Sequence, residues 1–166
     1  DSQVILLTSS AALAEAVQKE IQTQCAALPR ATIAWKALEN SKIILLKDRE
    51  EMLRFSNAYA PEHLIISTKD YRRLADRVTN AGSVFLGNYS PESAGDYASG
   101  TNHTLPTKAY ARAYSGLNLD SFKKKISFQE ISREGLQALG PTIEIMAESE
   151  ELLAHKRAVS IRLKQD

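Results

Sequence analysis

Four short apolar runs organise the first half of the chain: QVILL (3–7), KIILL (42–46), LIIS (64–67) and SVFL (83–86). Between them the apolar residues recur at helical spacing. Leu13, Ala16, Val17 and Ile21 mark a narrow stripe on an Ala-rich helix over 10–24, and Ile33, Trp35 and Leu38 are the expected inward residues of a second helix over 30–39. Continuous apolar strands separated by amphipathic helices are what a mainly parallel sheet covered on both faces requires, because a doubly buried strand has no polar side with which to alternate. The pattern predicts an α/β fold, a Rossmann-like layered body with a mainly parallel sheet. Asp48 with Glu51 reads as a helix-opening capping pair, and Gly82 as the left-handed cap of a helix over 70–80.

At 166 residues the chain holds one domain or a domain with an appendage. Twenty-one Lys and Arg against twenty Asp and Glu leave a formal charge of +1, which offers no general field for nucleic acid or an anionic membrane. The single Cys25 excludes an internal disulfide framework and suits a reducing compartment, so a cytoplasmic location is expected. No run approaches the ~18 apolar residues of a transmembrane helix. The opening DSQVILL has neither an initiator Met nor the shape of a signal peptide, and an excised piece of a longer protein is expected.

After Leu86 the pattern changes. Positions 87–107, GNYSPESAGDYASGTNHTLPT, carry almost no aliphatic side chains and three glycines, too little to form a core. Loops of this length in a compact domain are commonly functional, and Tyr89, Tyr97 and His103 between carboxylates suit wrapping a ligand. The body is expected to span 1–117 with this loop included. A mostly helical arm is expected over 118–166: Ile126 and Phe128 fit a strand or extended arm, a helix starts at Ser132, and Gly140-Pro141 punctuates it so that Pro141 opens the next helix. Such an arm has to bury its apolar stripe on the body or on another chain.

The residues able to carry chemistry form a small set. Glu62-His63 puts a carboxylate beside an imidazole at a strand start, fit for proton transfer or water activation, although neighbouring strand residues face opposite sides and the residues by themselves favour a structural or surface pair. Asp96, in GDY, is either a metal or cation ligand or an ordinary turn Asp. His103 donates to a substrate or to a loop carbonyl. His155 shares a helical face best with Glu151, a surface salt-bridge pattern, with Glu150 offset. Imidazole and carboxylate together suit zinc or another first-row divalent ion, but the spacing of these residues follows no zinc rule. No dinucleotide fingerprint, P-loop or nucleophile elbow occurs, and Lys123 to Lys125 reads as a solvated basic face.

Taken together, APEHLII, AGSVFLG, SPESAGDYASGTNHTLPT and ELLAHKRAV resemble histidinol dehydrogenases, in order and across essentially the whole chain. The resemblance implies a zinc-dependent enzyme that oxidises L-histidinol to L-histidine through an aldehyde, in two NAD-linked steps. It implies that His63 is the general base, that Glu62 activates the water added to the aldehyde, and that Asp96 and His155 ligate zinc. Substrate contacts would then come from His63, Asp96, His103, Glu150 and His155. It further implies a homodimer in which the helical arm takes Glu150 and His155 to the partner's site.

The family's other two zinc ligands, a Gln and a His, and most of its nicotinamide-binding region correspond to sequence upstream of Asp1, so no NAD-binding residue is expected in this chain and the chain alone is expected to be inactive. After LPT, many members of the family have a Gly where this chain has Ala109. Two other readings compete. A non-catalytic module could use the same loop to hold a small ligand, and a zinc hydrolase would need a third ligand, for which His103 is the candidate.

Overall fold

The structure is a computed structural model describing residues 2–164, and the chain divides into two compact units, 1–122 and 123–166. The first unit carries β1 (Ile5–Thr8), α1 (Ala11–Ala26), α2 (Ala31–Glu39), β2 (Lys42–Leu45), α3 (Arg49–Tyr59), β3 (His63–Ile66), α4 (Tyr71–Ala75), β4 (Ser83–Leu86) and α5 (Glu92–Tyr97), then short 3-10 turns at Tyr110–Arg112 and Leu119–Phe122. The four apolar runs are the four strands. They pair in parallel, as two ribbons: β1 with β2, Ile5 opposite Lys42, and β3 with β4, His63 opposite Ser83. Each pair is joined through helix, the connection that parallel neighbours require.

Coverage of the strands departs from the expectation. Ile66 and Phe85 are buried, whereas Ile65 and Val84 beside them are 52% and 37% exposed. Successive strand side chains point to opposite faces, and Ile65 is the partner of Phe85 in the register, so each face of this pair carries one buried and one exposed apolar side chain and is only partly covered within the unit. Helix α2 also sits outside the core: it buries no residue, Trp35 is half-buried, and Ile33 lies 56% exposed on an open apolar groove with Leu28, Pro29 and Ala37.

The capping pair at α3 forms. Asp48 accepts from the Glu51 N–H at 2.9 Å, and the Glu51 carboxylate accepts from the Lys47 N–H at 2.8 Å, which satisfies two donors near the helix start and is worth about 1 kcal/mol for the cap. The helix closes at Ala60, left-handed with φ 54° and 1% exposed, and Pro61 then leads into β3.

Helix α4 is shorter than the expected 70–80. Asn57 captures the backbone that follows it, its amide donating to the Arg77 carbonyl at 3.1 Å and accepting from the Thr79 N–H at 2.9 Å, so those groups are satisfied outside a helix. Gly82 is not a left-handed cap. It is needed because a Cβ there would lie 2.5 Å from the Glu62 carbonyl oxygen, where the chain passes close under the start of β3.

The second unit is a helical hairpin, α6 (Arg133–Ser149) and α7 (Leu153–Leu163). Ser132 caps α6 by accepting from the Gly135 N–H at 3.1 Å. The helix continues past Pro141, contrary to the break expected there. Pro141 removes one intrahelical hydrogen bond, but Gly140 and Ala147 on α6 and Val159 on α7 are buried in the hairpin, and that packing holds the helix through the gap.

The break falls at Glu151, φ 60°, where Leu152 N–H reaches the Ala147 carbonyl at 2.8 Å and Glu151 N–H the Glu148 carbonyl at 2.9 Å. That is a Schellman stop with a non-glycine residue in its left-handed position. Positions 123–131 pair with no strand among the described residues, and Phe128 is 93% exposed. No helix among the described residues is long and apolar enough to cross a membrane.

Candidate active site

Three elements of the first unit converge. Pro61 delivers Glu62 and His63 to the start of β3, and β4 alongside places Phe85 so that its ring stacks on the His63 imidazole, centroids 6.0 Å apart and planes inclined by 27°. The chain leaves β4 and opens α5 directly after Pro91. On that helix Glu92 and Asp96 are four residues apart and therefore share a face.

Gly95, buried, sets how near α5 approaches. A Cβ on it would stand 2.7 Å from Cε1 of Phe85, so only a bare Cα lets the helix lie on that ring. Thr101 Oγ1 donates to the Gly95 carbonyl at 3.3 Å and ties the following loop to the same helix.

The result is a cluster of one imidazole and two carboxylates: His63, Glu92 and Asp96 each offer a ligand atom, all within 4.8 Å of one another. Glu62 flanks it. Nδ1 of His63 lies 3.9 Å from Glu62 Oε1, and Nε2 lies 3.7 Å from Glu92 Oε1. Nε2 is buried and has no hydrogen-bond partner within the protein, an unmet demand that is costly unless a ligand or a tightened contact answers it. Burial first, and then the neighbouring Asp96 carboxylate, push the Glu92 carboxyl above its ordinary range; Glu62 adds to this and His63 opposes it. Negative charge is thus crowded around one imidazole. Imidazole with carboxylate oxygens is a donor set suited to zinc or another first-row divalent ion.

Of the residues singled out in the sequence, Glu62, His63 and Asp96 come together here. His103 is exposed in the loop, outside the cluster. Glu150 and His155 belong to the second unit: Glu150 is the exposed cap residue of α6 and His155 the exposed third residue of α7. The expected helical pairing of His155 with Glu151 does not form, because Glu151 is the left-handed stop between the helices; the ion pair across this turn is Lys156 with Glu148, 2.7 Å. Glu92 was missed. Its signal was present as the four-residue spacing from Asp96 in ESAGD immediately after a strand.

Parallel strand pairs bearing a histidine among carboxylates define an α/β protein with an imidazole–carboxylate cluster, a donor set capable of acid–base or metal chemistry. Comparison with known proteins narrows this. The family model described as histidinol dehydrogenase matches residues 1–163. Histidinol dehydrogenase of Bacteroides fragilis is 61% identical over 165 residues, 99% of this chain and 39% of that protein. The Escherichia coli protein of the same name is 53% identical over 163 residues, 98% of this chain and 38% of that protein. The crystal structure of histidinol dehydrogenase from Elizabethkingia anophelis superposes with a TM-score of 0.91 at 56% identity, covering 98% of this chain and 38% of that one. The chain belongs to the histidinol dehydrogenase family, and it spans less than two-fifths of the length of these relatives.

Proposed function

We propose that this chain is the C-terminal part of an oxidoreductase of histidine biosynthesis that converts L-histidinol to L-histidine in two NAD-dependent oxidations through an aldehyde. One observation carries the reading: His63 stands between Glu62 and Glu92 with Asp96 beside them, a base and a set of anionic groups on one small patch.

Each oxidation removes a hydride and a proton from the substrate, so a residue that takes up protons near neutrality is needed twice. In this reading His63 accepts the alcohol proton. Glu62, on the Nδ1 side of the ring, activates the water that adds to the aldehyde before the second oxidation. Asp96 is a metal ligand that also faces the substrate, and His103 is a further substrate contact from the loop. Glu150 recognises the substrate and His155 ligates the metal; both are supplied by the 118–166 arm to the site of a partner copy.

The residues assigned to zinc fit it: Asp96 offers a carboxylate oxygen in the cluster and His155 an exposed imidazole nitrogen on the arm, both donor types that zinc takes. When bound, zinc contributes templating, orienting the imidazole and amine of histidinol and with them the carbinol carbon, and NAD contributes hydride acceptance.

The test is reduction of NAD by the intact, zinc-loaded enzyme containing this chain, with histidinol as substrate. Two equivalents of NADH per histidinol support the reading. No reduction with histidinol, or one equivalent with the aldehyde as final product, contradicts it.

A further inference from the structure

Glu92 has no role in the reading above, yet it is the group that faces the buried nitrogen of the base. A neutral imidazole has one N–H and one lone pair, and a ring that acts as a base must present the lone pair to its substrate and hold the N–H elsewhere. Four observations decide which nitrogen does which.

First, of the two ring nitrogens it is Nε2 that is buried without a hydrogen-bond partner, which makes it the one in need of a held N–H rather than the one offered to substrate. Second, the described ion pairs of the ring are with Glu62 and Glu92, and the shorter, 3.7 Å, is the one from Nε2 to Glu92. Third, the ring lies on Phe85, which resists the flip that would exchange the two nitrogens. Fourth, Gly95 lets α5 approach Phe85 closely enough to bring Glu92 into range.

We propose that Glu92 is a positioning residue for His63, holding its Nε2–H so that Nδ1 keeps the lone pair that accepts the substrate proton. The 3.7 Å separation is about 0.8 Å longer than a usual N–H···O bond, a gap of the kind that closes as a site fills. The inference rests on the reading of His63 as the base, and it concerns a residue to which the sequence analysis gives no role.

The experiment is a long-range 1H–15N correlation spectrum of the 15N-histidine-labelled chain, at a pH where the rings are neutral. Only three histidines occur, so His63→Gln assigns the signal by subtraction. The proposal expects the Nε2–H tautomer at His63, a loss of that preference in Glu92→Ala, and its recovery in Glu92→Gln, whose amide oxygen still accepts. An Nδ1–H tautomer in the unaltered chain, or an unchanged spectrum in Glu92→Ala, overturns it.

Turnover of the intact enzyme supplies the second arm. Glu92→Ala is expected to lower kcat by roughly tenfold to a hundredfold, at or below the low end of a general base's contribution, with KM and zinc content retained and most of kcat restored in Glu92→Gln. Zinc lost in step with kcat overturns the proposal by making Glu92 a ligand. If the unaltered enzyme does not oxidise histidinol, the functional reading fails while the tautomer measurement still decides the role of Glu92.

Discussion

Nε2 of His63 on β3 and Oε1 of Glu92 on α5 stand 3.7 Å apart, beside the ring of Phe85, which stacks on the imidazole and which α5 approaches through the bare Cα of Gly95. The site is therefore assembled by packing: a strand presents the imidazole, a six-residue helix presents the carboxylates, and one aromatic ring fixes the distance between them.

Adding a methyl group at this contact tests the packing. Gly95→Ala places a Cβ 2.7 Å from Phe85 and is expected to cost about 1–3 kcal/mol as overpacking, read from urea denaturation. Adding Phe85→Leu should recover part of the loss, because neighbours that share a clash are not additive. An unchanged midpoint in Gly95→Ala would show that α5 is not seated on the ring.

Ala109 is left-handed, φ 62°, at the exit from the 87–107 loop. That conformation costs a non-glycine residue about 1–2 kcal/mol, while a glycine loses about 0.4–1 kcal/mol through its freer unfolded chain. Ala109→Gly is therefore expected to stabilise the chain by up to about 1.6 kcal/mol on these two figures, measured as a rise in the denaturation midpoint. A fall in the midpoint would contradict the backbone account of this position.

Hydrogen bonding to Arg77 holds the Glu50 carboxyl below its ordinary range, with a smaller opposing push from desolvation. A lowered carboxylate pKa in the folded state means that the unfolded state binds the proton more readily, so stability from the pair is complete above about pH 4.5 and is lost as pH falls through the folded value. Glu50→Gln is expected to lower the urea midpoint slightly at pH 7, with the difference from the unaltered chain vanishing under acid and shrinking in high salt. A difference that persists under acid would assign the effect to packing.

Much of this was legible in the residues. Apolar continuity identified all four strands and their parallel pairing, because hydrophobic patterning is local. Coverage was not legible: Ile65 and Val84, on opposite faces, read as core but are exposed within their unit, since a sequence pattern does not say how much of each apolar face its own unit covers. Gly82 looked like a cap because glycine favours left-handed backbone, whereas a contact with Glu62 distant in sequence is what demands it. Pro141 looked like a break because its local effect is strong, yet α6 continues through it on packing against α7. At the site, Glu62, His63 and Asp96 stood out by residue type. Glu92 did not, because its significance lies in facing His63 from another element.

The division of labour at the cluster is tested most directly by turnover and bound zinc measured together in His63→Asn and Asp96→Ala of the intact enzyme. The account predicts that His63→Asn loses roughly a hundredfold or more in kcat, as removal of a general base does, while keeping its zinc, and that Asp96→Ala loses the metal. Equal loss of zinc from both variants would contradict it.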